Sequence, residues 1–342
     1  MSHLDAGFSG LPALQTITEQ RITGKGMNIK KICVLGGTGF VGRHLTSRLA
    51  NHGYQLKVLS RHPQRHRNIE VLPNTELVGA DVHDATVLLE QFAGCDAVIN
   101  LVAILNEQGS QRFKSVHTDL AKKVIEACRA AGIKRLLHMS ALRADAAKGP
   151  SQYLATKGEA ESAVMQAQDL AVTCFKPSII FGPDDNFYNQ FAAMLSLFPA
   201  LPLACPDAKF APVYVGDVTQ AFQTALEDDA TIGKSYELCG PRVYTFREVI
   251  EDTARMLGLK RRVIGLPDSL ARLQAKVMGW LPVKIFTTDN YLSLQADSVC
   301  ASNGLDALGI TPQSVDSIMR MHLADKTQRR RYDALRKVAR RG

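Results

Sequence analysis

A glycine-rich segment near the start of the chain limits the possible folds more than any other feature. The apolar run Ile32–Leu35 leads into Gly36-Gly37-Thr38-Gly39-Phe40-Val41-Gly42, and Phe40–His52 has the pattern of a helix closed by Gly53. Glycines at 36, 39 and 42 allow a tight turn and a close backbone approach to a pyrophosphate, and the helix N-terminus supplies amide N–H groups. This order predicts a dinucleotide-binding unit, with phosphate contacts from Gly36, Thr38, Gly39, Phe40, Val41 and Gly42.

Strand-like and helix-like segments alternate as far as Pro177. Strands are predicted at 56–59, 76–78, 97–102, 136–139 and 172–175, and helices at 115–131 and 152–168. This alternation is typical of a parallel sheet with crossover helices. Proline-rich connections follow, with helices predicted at 218–226, 246–257 and 269–280. We therefore expect an α/β fold, a Rossmann doubly wound parallel sheet with a smaller, discontinuous C-terminal substrate lobe.

The same patterns predict four regions along the chain. Residues 1–26 form a loose N-terminal extension, unless translation begins at Met27. Residues 27–178 form the NAD(P)-binding Rossmann domain. Residues 179–325 form the substrate lobe, from which segments near 212–240 return to the Rossmann sheet. Residues 326–342 form a basic tail.

The net charge of +8 is confined almost entirely to this tail. Residues 326–342 hold eight basic residues and one acid, which leaves 33 basic and 32 acidic residues in the other 325. A nearly neutral body argues against nucleic acid as a partner. The tail has Tyr332, Leu335, Val338 and Ala339 along one helical stripe, which predicts docking on an anionic membrane surface or an acidic protein partner, or a solvated terminus. Deleting it should abolish salt-sensitive vesicle binding.

The seven cysteines are widely scattered, and no two of them form a CxxC motif. Their odd number and spacing argue against a disulfide framework and a zinc ribbon, so we expect no metal site and mostly small buried apolar thiols. Such cysteines fit a reducing compartment, and no secretory signal is visible. We expect a cytoplasmic protein, peripheral on the inner face of the membrane if the tail docks there.

The end of the second predicted strand bears on the choice of cofactor. It reads Ser60-Arg61-His62, without the acid that would bind the adenosine ribose hydroxyls of NAD. Arg61 could pair with a 2′-phosphate through its planar fork, so we expect NADP(H) in preference to NAD(H). Asp81 and Val82 follow the third strand, where the carboxylate could reach the adenine amino group or cap a helix.

Tyr153 and Lys157 have the spacing that places two side chains on one face of a helix. A lysine ammonium beside a phenol lowers the pKa of the phenol, so Tyr153 is the candidate acid/base. Lys157 would tune it and anchor the nicotinamide ribose. Ser140, 13 residues before Tyr153, would orient the substrate oxygen.

These motifs resemble the short-chain dehydrogenase/reductase superfamily over about residues 28–325. Within it the sequence is most similar to the nucleotide-binding accessory subunit of complex I and its bacterial relatives, through YLATKGEAESAV (153–164), KPSIIFGPDDNFYNQF (176–191) and PVYVGDVTQAF (212–222). The resemblance implies tight NADP(H) binding, further nucleotide contacts from Asn100, Val102 and Pro177, and a link to ubiquinone biosynthesis. Two departures count against a nucleotide-sugar epimerase or dehydratase: the serine lies close to the tyrosine, and residues 100–104 lack the histidine typical of sugar epimerases.

Two apolar segments, 187–203 and 266–286, belong to the predicted substrate lobe. The first lies within an uncharged stretch, 186–206. Its prolines predict a helix and a loop that line an apolar pocket, rather than a membrane span. In the second, Leu270, Leu273, Val277 and Trp280 follow helical spacing, for which core packing is the ordinary interpretation and the wall of an apolar cleft the alternative. The sequence thus predicts an NADP(H)-dependent oxidoreductase for an apolar carbonyl or alcohol. The alternative is a non-catalytic NADPH-binding subunit or assembly factor of a membrane-associated respiratory or ubiquinone-biosynthesis complex.

Overall fold

The computed structural model describes residues 27–280, 286–320 and 322. The predicted N-terminal extension and the basic tail lie outside these residues. The strands are β1 (Lys31–Leu35), β2 (Gln55–Ser60), β3 (Thr75–Gly79), β4 (Ala97–Asn100), β5 (Arg135–Met139), β6 (Ala171–Pro177), β7 (Ile180–Phe181), β8 (Ala200–Leu203), β9 (Lys209–Phe210), β10 (Val213–Tyr214), β11 (Lys234–Leu238), β12 (Tyr244–Thr245) and β13 (Arg262–Gly265). The α-helices are α1 (Phe40–Asn51), α2 (Arg67–Glu70), α3 (Ala85–Phe92), α4 (Leu120–Ala130), α5 (Gln152–Met165), α6 (Phe187–Leu197), α7 (Val215–Glu227), α8 (Phe246–Met256), α9 (Asp268–Gly279), α10 (Thr288–Ser293) and α11 (Gly304–Ala307).

Seven parallel strands form the central sheet in the order β11-β6-β5-β4-β1-β2-β3. Helices cover both faces, because the buried strands are apolar on both sides. One face packs against α1 and α7 through residues such as Leu45 and Phe222. The other face packs against α3, α4 and α5 through residues such as Leu88 and Val124. The predicted Rossmann fold is confirmed.

Segments after β6 both return to this sheet and leave it. Helix α7 packs beside α1, and β11 pairs in parallel with β6, so residues 212–240 contribute to the nucleotide-binding unit. A smaller apolar cluster, which includes Leu195, Leu201 and Ile250, joins α6, β8 and α8 in the second lobe. The boundary between 178 and 179 stays a prediction. Within the described part of the chain, no helix is both long and apolar enough to cross a bilayer.

Three sequence-based expectations change. The helix predicted at 115–131 begins with a π-helical turn, Lys114–Asp119, before α4. Cys239 and Cys300 form a disulfide, which their separation of 61 residues did not indicate. It arises because the end of β11 and the loop before α11 meet in the fold, and four of the five free cysteines are buried as expected. Finally, the stripe on α9 is exposed, so the preferred interpretation of core packing is wrong for it.

Candidate functional site

The glycine loop is built so tightly that a side chain would be strained at Gly36 and would collide with backbone at Gly42. Gly36 has a φ of +77°, and a Cβ atom there would lie 3.1 Å from the backbone of Leu101 and Val102. A Cβ on Gly42 would lie 2.1 Å from the carbonyl oxygen of Gly36. Gly39 precedes α1 and offers no side-chain cap, which leaves N–H groups of the first turn available to an anion. This cradle fits the pyrophosphate of a dinucleotide.

Asn100 ends β4 beside the glycine loop and is 2% exposed. Its side-chain oxygen accepts a hydrogen bond from the Val102 amide at 3.1 Å, and its amide nitrogen lies 3.4 Å from Nδ1 of His138. Asn100 therefore shapes the backbone turn against which Gly36 packs. Pro177, at the end of β6, accepts from the Leu142 amide at 3.0 Å. Both residues lie at the carboxyl edge of the sheet, where this fold binds its ligands.

Arg61 follows β2 at the same edge and is exposed. With the Gln111 amide turned so that its oxygen faces the guanidinium, Arg61 donates to that oxygen at 2.6 and 3.2 Å. Residues 61–67 hold three arginines, two histidines and no acid. The segment is positively charged and suited to a phosphate.

Asp81 and Val82 follow β3. The Asp81 carboxylate is exposed and accepts from the His83 amide at 3.0 Å, while Val82 is buried. Asp84, and not Asp81, caps α3, by accepting from the Thr86 amide at 2.8 Å. The carboxylate of Asp81 is thus free of the helix-capping role that the sequence left open.

Tyr153 and Lys157 lie one turn apart on α5, near its N-terminus. The Ser151 hydroxyl caps this helix, and the Asp289 carboxylate accepts from the amides of Gln152 and Tyr153 at 2.7 and 3.2 Å. Asp289 lies on α10, so the second lobe holds the start of α5. No sequence signal pointed to this residue.

Lys157 is buried, and its ammonium donates to the Met139 carbonyl at 2.5 Å. Burial lowers the pKa of Lys157 to about 8. Burial, with the nearby Asp289 carboxylate, raises the pKa of Tyr153 to about 12. The expected lowering of the tyrosine pKa by the lysine is therefore wrong, because loss of hydration and the Asp289 carboxylate both raise this pKa.

Ser140 follows β5 and is 4% exposed. Its hydroxyl donates to Oε2 of Glu161 at 2.7 Å, and Oε1 of the same carboxylate pairs with Lys176 at 3.1 Å. Within the described residues no hydrogen bond joins Ser140 to Tyr153 or Lys157. Lys157 thus lies next to the end of β5, which Ser140 follows, but the Ser140 hydroxyl is hydrogen-bonded to Glu161.

His117 is a site neighbour that sequence reasoning missed. Its ring packs edge-on against Tyr153 with centroids 5.6 Å apart. Nε2 accepts from the Ile104 amide at 3.2 Å, and Nδ1 lies 3.0 Å from the Thr156 hydroxyl. Burial, helped by Lys157, lowers the pKa of His117 to about 3, so the ring is neutral and positions α5. Its place in a π-helical turn has no signature in a single sequence.

A cleft of about 390 Å³ opens beside the tyrosine. Phe113 lines it and also packs edge-on against Tyr153, with centroids 6.1 Å apart. Lys276, Gly279 and Trp280 of the α9 region form another wall, and Asp289 and Leu292 of α10 a third. The second lobe therefore contributes most of the residues that line this cleft.

A parallel sheet with a glycine cradle, and a Tyr-Lys pair beside it, define an NAD(P)-binding protein of the short-chain dehydrogenase/reductase type. Residues 36–190 match the model of the NAD(P)H-binding family. NADH dehydrogenase (ubiquinone) 1 alpha subcomplex subunit 9 of Arabidopsis thaliana is 32% identical over 292 residues, which are 80% of this chain and 71% of that protein. The chain belongs to the family of this complex I subunit, which confirms the resemblance drawn from its motifs.

The chain is also similar to enzymes. A ceramide reductase of Caulobacter vibrioides is 32% identical over 244 residues, which are 69% of this chain and 74% of that protein. Among solved structures, Pal from Bacillus thuringiensis superposes with a TM-score of 0.70 at 17% identity, over 86% of this chain and 98% of that one. At that identity the structural likeness supports the fold alone.

Proposed function

We propose that the protein is an NADP(H)-dependent reductase in which Tyr153 exchanges a proton with an apolar carbonyl or alcohol substrate. The observation that carries this proposal is that Tyr153 lies one helical turn from the buried Lys157 and packs edge-on against Phe113, which lines the cleft. A phenol with a pKa of about 12 stays protonated at neutral pH, which suits the donation of a proton to a carbonyl oxygen. The bound nicotinamide would supply the hydride.

The preference for NADP(H) is proposed from Arg61 and the basic segment that follows it. We expect Arg61→Ala to weaken NADPH binding by about tenfold and NADH binding by less than twofold, because only the former loses a charge-assisted contact of about 1.5 kcal/mol. Arg67→Ala, at another exposed arginine of the segment, is the matched control. An unchanged preference for NADPH in the Arg61 variant would remove this residue from the site.

The substrate class follows from the cleft and one relative. Phe113, Trp280 and Leu292 give the cleft apolar walls, while Glu107 and Lys276 supply charge to it. The name of the Caulobacter relative, ceramide reductase, supports a lipid-like substrate. Quinones and isoprenoid carbonyls share that character and fit the relationship to a complex I subunit.

The decisive experiment identifies the nucleotide that co-purifies and follows NADPH oxidation with a panel of quinones and long-chain ketones. Tyr153→Phe should lower kcat at least 100-fold and leave the Kd for NADPH unchanged, because the substitution removes only the transferable proton. Equal turnover by wild type and variant would exclude the proposed role of Tyr153.

A second candidate is a non-catalytic NADPH-binding subunit of a membrane-associated respiratory or ubiquinone-biosynthesis complex. The observation in its favour is the hydrogen bond from Ser140 to Glu161, which commits the hydroxyl that would otherwise hold a substrate oxygen. The Arabidopsis relative is named as a subunit of NADH dehydrogenase (ubiquinone). Tight NADPH binding without turnover on any substrate, together with a stable complex in a pull-down, would favour this candidate.

A further inference from the structure

Helix α9 packs against the protein with its smallest side chains and presents its largest ones to solvent. Ala271 and Ala275 are buried in a cluster with Ala204 and Tyr291. Leu270, Leu273, Val277 and Trp280 lie on the opposite side, with exposed fractions of 48%, 55%, 58% and 84%. An amphipathic helix in this orientation leaves an apolar stripe without a covering element in the described part of the chain.

Further exposed apolar residues lie on the strand that precedes α9 and beside it. Ile264 of β13 is 52% exposed, and β13 pairs in parallel with β8. Arg261 donates to the Leu195 carbonyl at 2.6 Å, which holds β13 at the end of α6, where Leu197 and Phe198 are exposed. We name this surface the α9 face; it comprises Leu197, Phe198, Ile264, Leu270, Leu273, Val277 and Trp280. Of the twelve large apolar residues that are exposed in the described residues, it contains seven, so exposed apolar area is concentrated here.

The segment 260–280, which carries five of the seven residues of the α9 face, has mostly positive charges, and Glu107 and Asp289 line the cleft next to it. Residues 260–280 contain five basic residues and one acid, Asp268, which pairs with Arg272 at 2.9 Å. Lys260, Arg262 and Lys276 are exposed, and none of the three forms an ion pair within the described residues. This surplus contrasts with the near-neutral body of the protein.

We propose that the α9 face docks on an anionic lipid bilayer. Apolar side chains on one helix, with exposed cations beside them, are the features that bind the boundary between head groups and acyl chains. A second copy of the chain is a poorer occupant, because a symmetric contact would bring the same unpaired cations together. The docking site lies on the folded lobe and is separate from the basic tail.

Docking would also place the cleft at the lipid surface. Lys276, Gly279 and Trp280 line the cleft and lie on or next to the helix that carries the stripe. A membrane-resident substrate could therefore enter from the bilayer towards Phe113 and Tyr153. This consequence rests on the proposed function, whereas the docking itself does not.

Trp280 is the single tryptophan of the chain, so its fluorescence reports on the α9 face alone. The test titrates the full-length protein, without nucleotide, with vesicles of phosphatidylcholine and phosphatidylglycerol, in low salt and in 0.5 M salt (roughly the concentration at which exposed charges are screened within about 4 Å). We expect a shift of Trp280 emission to shorter wavelength, quenching by brominated lipids, and persistence of both in high salt. Binding through the tail alone would sediment the protein while leaving Trp280 emission unshifted, which would overturn the proposal.

Variants test whether vesicle binding depends on the α9 face or on another part of the surface. Leu270→Ser/Leu273→Ser should reduce partitioning in high salt at least tenfold, and Lys276→Glu should reduce it in low salt. Val71→Ser, at a site that is 81% exposed next to α2, should change partitioning less than twofold. A wild-type partition coefficient for the double variant would overturn the proposal, as would a vesicle-independent emission shift that grows with protein concentration. A negative result in these vesicle tests would not count against the proposed NADPH-dependent activity, because no nucleotide is present in them.

Discussion

Substitution of Gly42 by alanine tests the nucleotide cradle directly. An added Cβ would lie 2.1 Å from the Gly36 carbonyl oxygen and 2.5 Å from the Gly37 Cα, and neither backbone atom can move aside as a side chain could. An ordinary contact needs about 3.4 Å or more, so the start of α1 must move away from the loop by about 1 Å. That displacement would misalign the amide groups that face the pyrophosphate.

The expected loss follows from those hydrogen bonds. Two charge-assisted bonds at about 1.5 kcal/mol each amount to about 3 kcal/mol, or a Kd for NADPH raised about 100-fold. Overpacking should also lower the free energy of unfolding by about 1–3 kcal/mol. Fluorescence titration with NADPH gives the first quantity and urea unfolding the second.

Gly79→Ala is the matched control, because its Cβ would meet nothing closer than 3.5 Å, at Pro63. It should change the Kd less than twofold. If Gly42→Ala bound NADPH as tightly as Gly79→Ala does, the packing of Gly42 on Gly36 would not shape the phosphate site.

Three further predictions concern stability. The pKa of Lys157 is about 8 in the folded protein and ordinarily 10.5, so the unfolded chain binds more protons between these values. Relative to Lys157→Met, the wild type should therefore gain about 3 kcal/mol as pH rises from 8 to 10.5, and a constant difference in urea unfolding would contradict this. The Cys239–Cys300 disulfide links residues 61 positions apart, so its reduction should lower the free energy of unfolding by up to about 4 kcal/mol. Thermal unfolding with and without reductant should therefore differ for the wild type but not for Cys300→Ser. Arg135 is fully buried and donates hydrogen bonds to two backbone carbonyls and two threonine hydroxyls. Arg135→Met should therefore lower the free energy of unfolding in urea by about 3 kcal/mol or more. A decrease below about 1 kcal/mol would show that the freed acceptors find other donors.

Local features of the chain were sufficient to predict the nucleotide-binding unit. The strand, glycine loop and helix at 32–52 predicted both the element order and the cradle, because a backbone that approaches itself this closely permits only glycine at particular positions. The spacing of Tyr153 and Lys157 likewise placed them one turn apart on α5. These are short-range consequences of helical and strand geometry, which a single sequence displays.

Long-range contacts could not be inferred in the same way. Glu161 takes the Ser140 hydroxyl, Asp289 holds the start of α5, and Cys300 meets Cys239 only after distant segments have packed together. The pKa of Tyr153 also depends on this packing, since burial and the carboxylate of the distant Asp289 both raise it.

The sequence by itself determined the fold class, the phosphate loop and the helix that carries the Tyr-Lys pair. Only the tertiary structure decided which surface the apolar stripe of α9 occupies. Helical periodicity states that Leu270, Leu273 and Val277 share one side, but not whether that side is turned inward. Alanines were the residues that fitted the space against the lobe, so the larger side chains remained outside, where they can meet another surface.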